Sequence, residues 1–368
     1  MKKNALLLLI AILTVLSGCQ KNERHTFPEF YLDDPFGNFM AFWDGMSKNY
    51  GFWGYDTVNW DQKLEYLDQI TDSTTDEELA SIFKKMIRNL IDHHYGIFAN
   101  IDGNDLVIVS QKVKENLSKI IDVFEDGYFE FAVFNRLSSS DRNKFDGYVY
   151  GTINNNIQYV RLPGFSLSMN LDDPKYNQLI NFIENPKPNH KGIIFDVRHN
   201  GGGLASDLQL LVGTFTKDKT LIGHARQKVG SGRFDYSPWF PIEINPGKKF
   251  NPLPVVILCD NISISMAEAF TMAMAVLPQV TTVGTTTFGA HGPLLFQNTT
   301  TMITGSRSFY LPNGWRVQLA LEVFRPIIEG KVLEGIGYTP EVILPLDVQA
   351  LDNNGSDNQL DKAIDLLK

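Results

Sequence analysis

Two short stretches of this 368-residue chain combine residue types that acyl transfer requires. The first is Phe195-Asp196-Val197-Arg198-His199-Asn200-Gly201-Gly202-Gly203, and the second is Ser263-Ile264-Ser265-Met266-Ala267-Glu268. Each follows an apolar run with a turn and then a helix-like segment, so both can bring groups to one edge of a sheet. Ser265 stands directly before Met266-Ala267-Glu268-Ala269-Phe270, a good helix former. There a hydroxyl meets the positive end of the helix dipole, and an oxyanion can accept the N–H of Met266. Plain N-capping by Ser265 is the structural alternative. Consecutive glycines after a strand let backbone N–H groups point into a site unobstructed, so Gly201 and Gly202 are candidate oxyanion donors. Phosphate binding is the rival use of such a turn, but neither a Walker pattern nor GxGxxG is present.

A serine hydroxyl is inert at neutral pH without a base, and a neutral imidazole can serve if its second nitrogen is oriented. His94, in Asp92-His93-His94-Tyr95-Gly96, is placed at the end of a helix that Thr75 and Glu78 start in capping-box spacing. His291 is the reserve candidate, while His199 is assigned to shaping the glycine turn. His93 and His94 beside Asp92 also suggest a metal site. Adjacent residues seldom direct both side chains to one ion, and no Cys or helix-spaced His partner stands nearby, so no metal or cofactor is expected. Cys259 ends the apolar run Val255-Val256-Ile257-Leu258 and reads as a buried small hydrophobe rather than a nucleophile.

The elements that must position these groups fall into two patterns. Phe39, Phe42, Trp43, Met46 and Tyr50 recur at helix spacing, as do Leu79, Ile82, Phe83, Met86 and Leu90. Residues 29–98 thus read as an N-terminal helical region, and 99–155 as a connecting region. Within it, 113–124 is helix-like and Tyr128 to Phe134 alternate. From 156 to 346 strands are expected at 157–162, 192–197, 255–259 and 281–284, with helices at 172–183, 204–214 and 266–277. That alternation builds a mostly parallel α/β sheet. Residues 347–368 close the chain as a helix with Leu360, Ile364 and Leu367 on one face.

The amino terminus addresses compartment. Lys2 and Lys3 precede an apolar run from Ala5 to Leu16 that is too short to span a bilayer, so 1–18 reads as a signal peptide and 19–28 as a tether. Leu16-Ser17-Gly18-Cys19 resembles the lipobox of bacterial lipoproteins, which implies cleavage before Cys19, lipidation there and attachment to a membrane. Gln20 after the Cys resembles the outer-membrane pattern, facing periplasm or cell surface. A net charge of −9, with no basic cluster, leaves no footprint for nucleic acid.

The order of motifs carries a further resemblance. Asp-x-Arg-x-Asn-Gly-Gly-Gly, then Ser-x-x-Glu, then Gly284-Thr285-Thr286-Thr287-Phe288-Gly289, is similar to the C-terminal processing (tail-specific) serine peptidases. That family implies a crotonase/ClpP-like spiral core beside an N-terminal helical subdomain, Ser265 as nucleophile, Glu268 as a supporting group and the glycine turn as oxyanion hole. Ala290 stands where the tail-specific branch carries its Lys base. A tricorn-like branch takes its base from a His in a Leu-x-Asp-x-His pattern, which Leu90 to His94 matches at His94. Its late Glu in Glu-Gly-x-Gly-x-x-Pro matches Glu334-Gly335-Ile336-Gly337-Tyr338-Thr339-Pro340. His93, also supporting, occupies a position where that pattern has a hydroxyl residue. No PDZ-like Gly-Leu-Gly segment is present, so short peptides or unfolded protein are the expected substrates of this serine endopeptidase. The alternative is a non-catalytic ligand- or peptide-binding lipoprotein on the same fold.

Overall fold

The computed structural model describes residues 31–120, 128–291, 306–320 and 322–368. The signal, the tether and Cys19 lie outside the described residues. The chain forms two compact units. The first draws on 31–119, 225–240 and 306–324, and the second on 120–224, 241–291 and 325–368. Among the described residues no helix is long and apolar enough to cross a membrane.

The first unit begins as its sequence predicts. Asp34 accepts the Gly37 N–H at 2.6 Å and Pro35 opens the helix Pro35–Asn49, which buries Phe39, Phe42 and Met46. The capping box at Thr75 and Glu78 is formed in both directions, and the helix it starts runs over Asp76–Met86. Phe42 stacks on Phe83 at 4.1 Å between ring centres, and Trp315 meets Phe83 edge-on at 6.0 Å. The helix ends ten residues before Gly96, which starts the strand Gly96–Ile101 rather than capping a helix. That strand lies within a sheet ordered 306–310, 316–320, 96–101, 104–108, antiparallel at every pairing. Residues from late in the chain thus complete the N-terminal unit, and no local period announces such a long-range pairing.

The second unit holds a seven-stranded sheet. Its order is Val342–Ile343, Val280–Gly284, Val255–Cys259, Gly192–Asp196, Ile157–Arg161, Tyr148–Ile153 and Asn143–Phe145. The first five strands are parallel, and the last two join antiparallel. Strands 157–161, 192–196 and 255–259 are buried at every residue, as continuous apolar runs in a parallel sheet covered on both faces require. Ile194, Val256 and Leu258 pack against Leu360, Ile364 and Leu367 of the C-terminal helix. Phe195, pointing the other way, meets Phe270 at 5.4 Å and Phe215 at 5.7 Å. The sheet edge formed by 143–153 corrects the connecting-region boundary, because these strands belong to the core sheet. Tyr128–Phe134 is helical despite its alternation. Among its described side chains the i, i+4 pair Phe129 and Val133 is buried.

The Asp-x-Arg of the glycine stretch is an internal tie. The fully buried Arg198 guanidinium donates to Asp196 through Nε (3.0 Å) and Nη2 (2.6 Å), and to Asp357 through Nη1 (3.1 Å) and Nη2 (2.8 Å). It also donates to Gln359 at 2.9 Å and lies 3.9 Å from the Phe129 ring centre. Burial works to raise the Asp196 carboxyl, yet the charge and hydrogen bonds of Arg198 hold it below its ordinary value. Asp357 also caps the C-terminal helix through the Leu360 N–H. Replacing Arg198 with alanine takes the guanidinium from buried Asp357 and leaves Asp196 with Arg161 at 3.5 Å as its remaining cation, so the expected cost is about 3–5 kcal/mol, measured by urea unfolding.

Candidate active site

In a parallel sheet the carboxyl ends of the strands share one edge, which is where binding loops gather. Here the strands ending at Asp196, Cys259 and Gly284 lead into the three motif loops. Gly284 has φ +138°, and a Cβ there would lie 1.8 Å from the Cys259 carbonyl oxygen. Burial pushes the Cys259 thiol well up, so it stays neutral.

Ser265 precedes the helix Met266–Ala275 with φ +57° and ψ −114°, a sparsely populated conformation for a non-glycine residue. Such strain persists where the surroundings over-determine it. The Ile264 N–H donates to the Asn200 carbonyl at 2.9 Å, tying the serine loop to the glycine turn. Ser263 Oγ donates to the Val197 carbonyl at 2.8 Å. A Cβ on Gly202, whose φ is +101°, would fall 2.7 Å from Ser265 Cβ and 3.0 Å from Met266 N. Only glycine lets the turn lie against the serine. At the helix start Ala267 donates to Ile264, and Glu268 and Ala269 both donate to the Ser265 carbonyl. Met266 N–H remains as the first-turn amide without an acceptor among the described residues.

The Gly202 N–H, assigned from sequence to the oxyanion, donates instead to Asn200 Oδ1 at 2.8 Å. Asn200 fixes its own amide by donating to the Leu162 carbonyl at 2.8 Å. Gly202 thus supplies close approach to the serine, while Gly201 stands in the exposed part of the turn. His199 stands within the turn itself. It has φ +56°, and its N–H donates to Asp260 Oδ1 at 3.1 Å.

Glu268 is completely buried and organises the third loop. Its carboxylate accepts the Thr287 hydroxyl (2.6 Å), the Gly289 N–H (2.7 Å), the Ala290 N–H (2.7 Å) and the Ser265 N–H (3.2 Å). Burial alone would raise this carboxyl, but His291 and the donors from Thr287 and Ala290 hold it below the ordinary carboxylate value. His291 Nδ1 stands 3.9 Å from Glu268 Oε1, an ion-pair distance rather than a hydrogen bond. The His291 ring is 1% exposed, and neither nitrogen has a hydrogen-bond partner among the described residues. The His291 N–H donates to Glu334 Oε2 at 2.9 Å. Gly335 donates to the Gly289 carbonyl, and Tyr338 exchanges bonds with Thr287. The second unit therefore joins Ser265, Glu268, His291 and Glu334 in one network of loops. Sequence reading missed Asn200 and Thr287 as supports, although both stand inside the motifs that drew attention to the glycines.

His94 lies in the first unit, 1% exposed. Its N–H donates to Asp92 Oδ1 at 2.8 Å and its carbonyl accepts the Gln318 side-chain amide at 3.3 Å. Asp92 Oδ2 accepts the Ala320 N–H at 2.8 Å. His93 is 5% exposed.

A model of peptidase family S41 matches residues 156–344, just over half of the chain. A solved structure from Parabacteroides merdae ATCC 43184, described as a candidate peptidase, is 25% identical with a TM-score of 0.71. The match covers 91% of this chain and 97% of that one. Mature CPAF shares the fold at 12% identity and a TM-score of 0.61, over 88% of this chain and 94% of that one. The photosystem II D1 C-terminal processing protease does so at 14% and 0.52, over 90% and 97%. With the family model spanning the five parallel strands and all three motif loops, the chain belongs to peptidase family S41.

Proposed function

We propose that this protein is a serine endopeptidase of the bacterial cell envelope, anchored through a lipid on Cys19 and acting on peptides or unfolded protein. The carrying observation is the strained Ser265 at a helix start, with Gly202 against its Cβ and the Met266 N–H beside it. Ser265 Oγ attacks the scissile carbonyl carbon as the base takes its proton. The oxyanion is held by the Met266 and Gly201 N–H groups. Collapse breaks the C–N bond, with the proton passing to the leaving amine, and water then releases the acyl group by the reverse sequence.

His94 is the proposed base and Glu334 the supporting carboxylate, both on the motif positions they occupy. A second base, His291, is favoured by its buried ring, which has no hydrogen-bond partner among the described residues and belongs to the same unit as Ser265. Comparing His94→Ala with His291→Ala in hydrolysis of an unfolded protein such as casein separates the two. Loss confined to one variant identifies the base, and full activity in both contradicts a histidine mechanism.

With an imidazole base, kcat/KM is expected to fall about tenfold per pH unit below roughly 6.5, since the protonated ring cannot accept the serine proton. A profile flat down to about pH 5 would exclude it. The basis for the envelope location is the lipobox-like Leu16-Ser17-Gly18-Cys19. Incorporation of labelled palmitate, lost in Cys19→Ala, is its test.

A further inference from the structure

Within the first unit, the main chain that carries His94 is held more tightly than a surface turn requires. Asp92 is fully buried, and its two carboxylate oxygens are divided between two backbone donors, His94 and Ala320. One bond fixes the amide of His94 itself, and the other fastens the same carboxylate to the strand Arg316–Ala320. Gln318 on that strand holds the His94 carbonyl, so both sides of the His94 peptide backbone are set by one element.

A further layer stands behind Asp92. Its own N–H donates to the Tyr50 hydroxyl at 3.3 Å. That hydroxyl donates to Asp56 Oδ2, and Asp56 Oδ1 accepts the Ile91 N–H at 3.1 Å. The hydroxyl and two carboxyl groups therefore fix three amides, those of Ile91, Asp92 and His94, within four residues. Burial pushes the Asp56 carboxyl up to about 7 and the Asp92 carboxyl up to about 6. Two acids are thus kept out of water, where an uncharged turn would satisfy the local backbone at lower cost. A side chain held within a fraction of an ångström of its working geometry is what proton transfer requires.

We propose that Asp92 is a positioning residue for His94, with Tyr50 and Asp56 fixing Asp92 in turn. The proposal rests on His94 being the general base. Asp92 acts through the backbone on either side of the ring and touches no substrate. An Asp92→Asn side chain can still accept one N–H, but its amide nitrogen turns a donor towards the other.

The test is the rate of serine phosphonylation in the full chain, purified in mild detergent, with a fluorophosphonate as the probe. Asp92→Asn should lower the maximal labelling rate constant by about 10²-fold while the probe's half-saturating concentration and the final one-label stoichiometry stay unchanged. Tyr50→Phe should move the same constant in the same direction by a smaller factor. A purely structural role would instead lower the labelled fraction and leave the rate constant of the remainder untouched. Wild-type rates in Asp92→Asn, with His94→Ala unlabelled, would overturn this inference alone. A folded wild type that does not label overturns the peptidase reading, and this inference with it. Wild-type labelling in His94→Ala removes the base that Asp92 is said to position.

Discussion

Replacing Ser265 with alanine is expected to abolish hydrolysis and to leave the melting curve unchanged. The substitution removes one oxygen and keeps the Cβ, so the approach of Gly202 and the start of the helix Met266–Ala275 are preserved. Glu268 still accepts the residue-265 N–H, since that donor is backbone. What is lost is the group proposed to form the covalent bond with substrate, and in serine peptidases such a loss costs on the order of 10⁶ in kcat. Residual turnover within tenfold of wild type would remove Ser265 from the mechanism. Loss of activity together with unfolding would make it a cap.

Glu268→Gln is expected to damage both fold and activity. Four donors converge on the carboxylate, three of them backbone amides, of which two, Gly289 and Ala290, belong to the loop from Gly284 to His291. A glutamine offers one acceptor oxygen and turns an NH₂ group against amides that cannot accept it. Removing a buried charge from such a network costs about 3 kcal/mol or more. For a unit of this size that is a fall of roughly 6–12 °C in Tm by calorimetry. The sign with pH follows from the depressed carboxyl. Its stabilisation is complete above the unfolded value of about 4.3 and is lost as pH falls through the lower folded value. Wild type should therefore lose stability on acidification below about pH 4, and Glu268→Gln should show a shallower decline there. An unchanged Tm in the variant would mean that the loop is held by other contacts.

Much of the second unit was legible because its signals are local. Buried parallel strands read as unbroken apolar runs, and Val255 to Cys259 was placed residue for residue. The C-terminal helix showed its core face in Leu360, Ile364 and Leu367. The edge hairpins were missed although their turns carry a sequence signal. Asp146-Gly147 and Asp102-Gly103 each join two strands with both residues at positive φ, the pattern that Asp-Gly favours in two-residue hairpins. The strands 306–310 and 316–320 were beyond reach for a different reason. Strand 316–320 pairs with Gly96–Ile101, some two hundred residues earlier, and carries 306–310 beside it as the outer strand.

At the site, glycines and charged residues marked the right loops, but not how the donors are shared. Asn200 is the instructive case. Its short amide side chain captures the Gly202 N–H from two residues away, a local competition that Asn is prone to. Glu268 read as a helix-start residue and does bond the Ser265 N–H. Its three bonds to the loop beyond Gly284 depend on chain segments about twenty residues away.

The most direct measurement is to treat the full chain in mild detergent with a fluorophosphonate and locate the adduct by peptide mass spectrometry, beside Ser265→Ala and His94→Ala. The account predicts one adduct, on Ser265, absent from the alanine variant at that position and strongly slowed in His94→Ala. A folded wild type without an adduct, or with one on another residue, would contradict it.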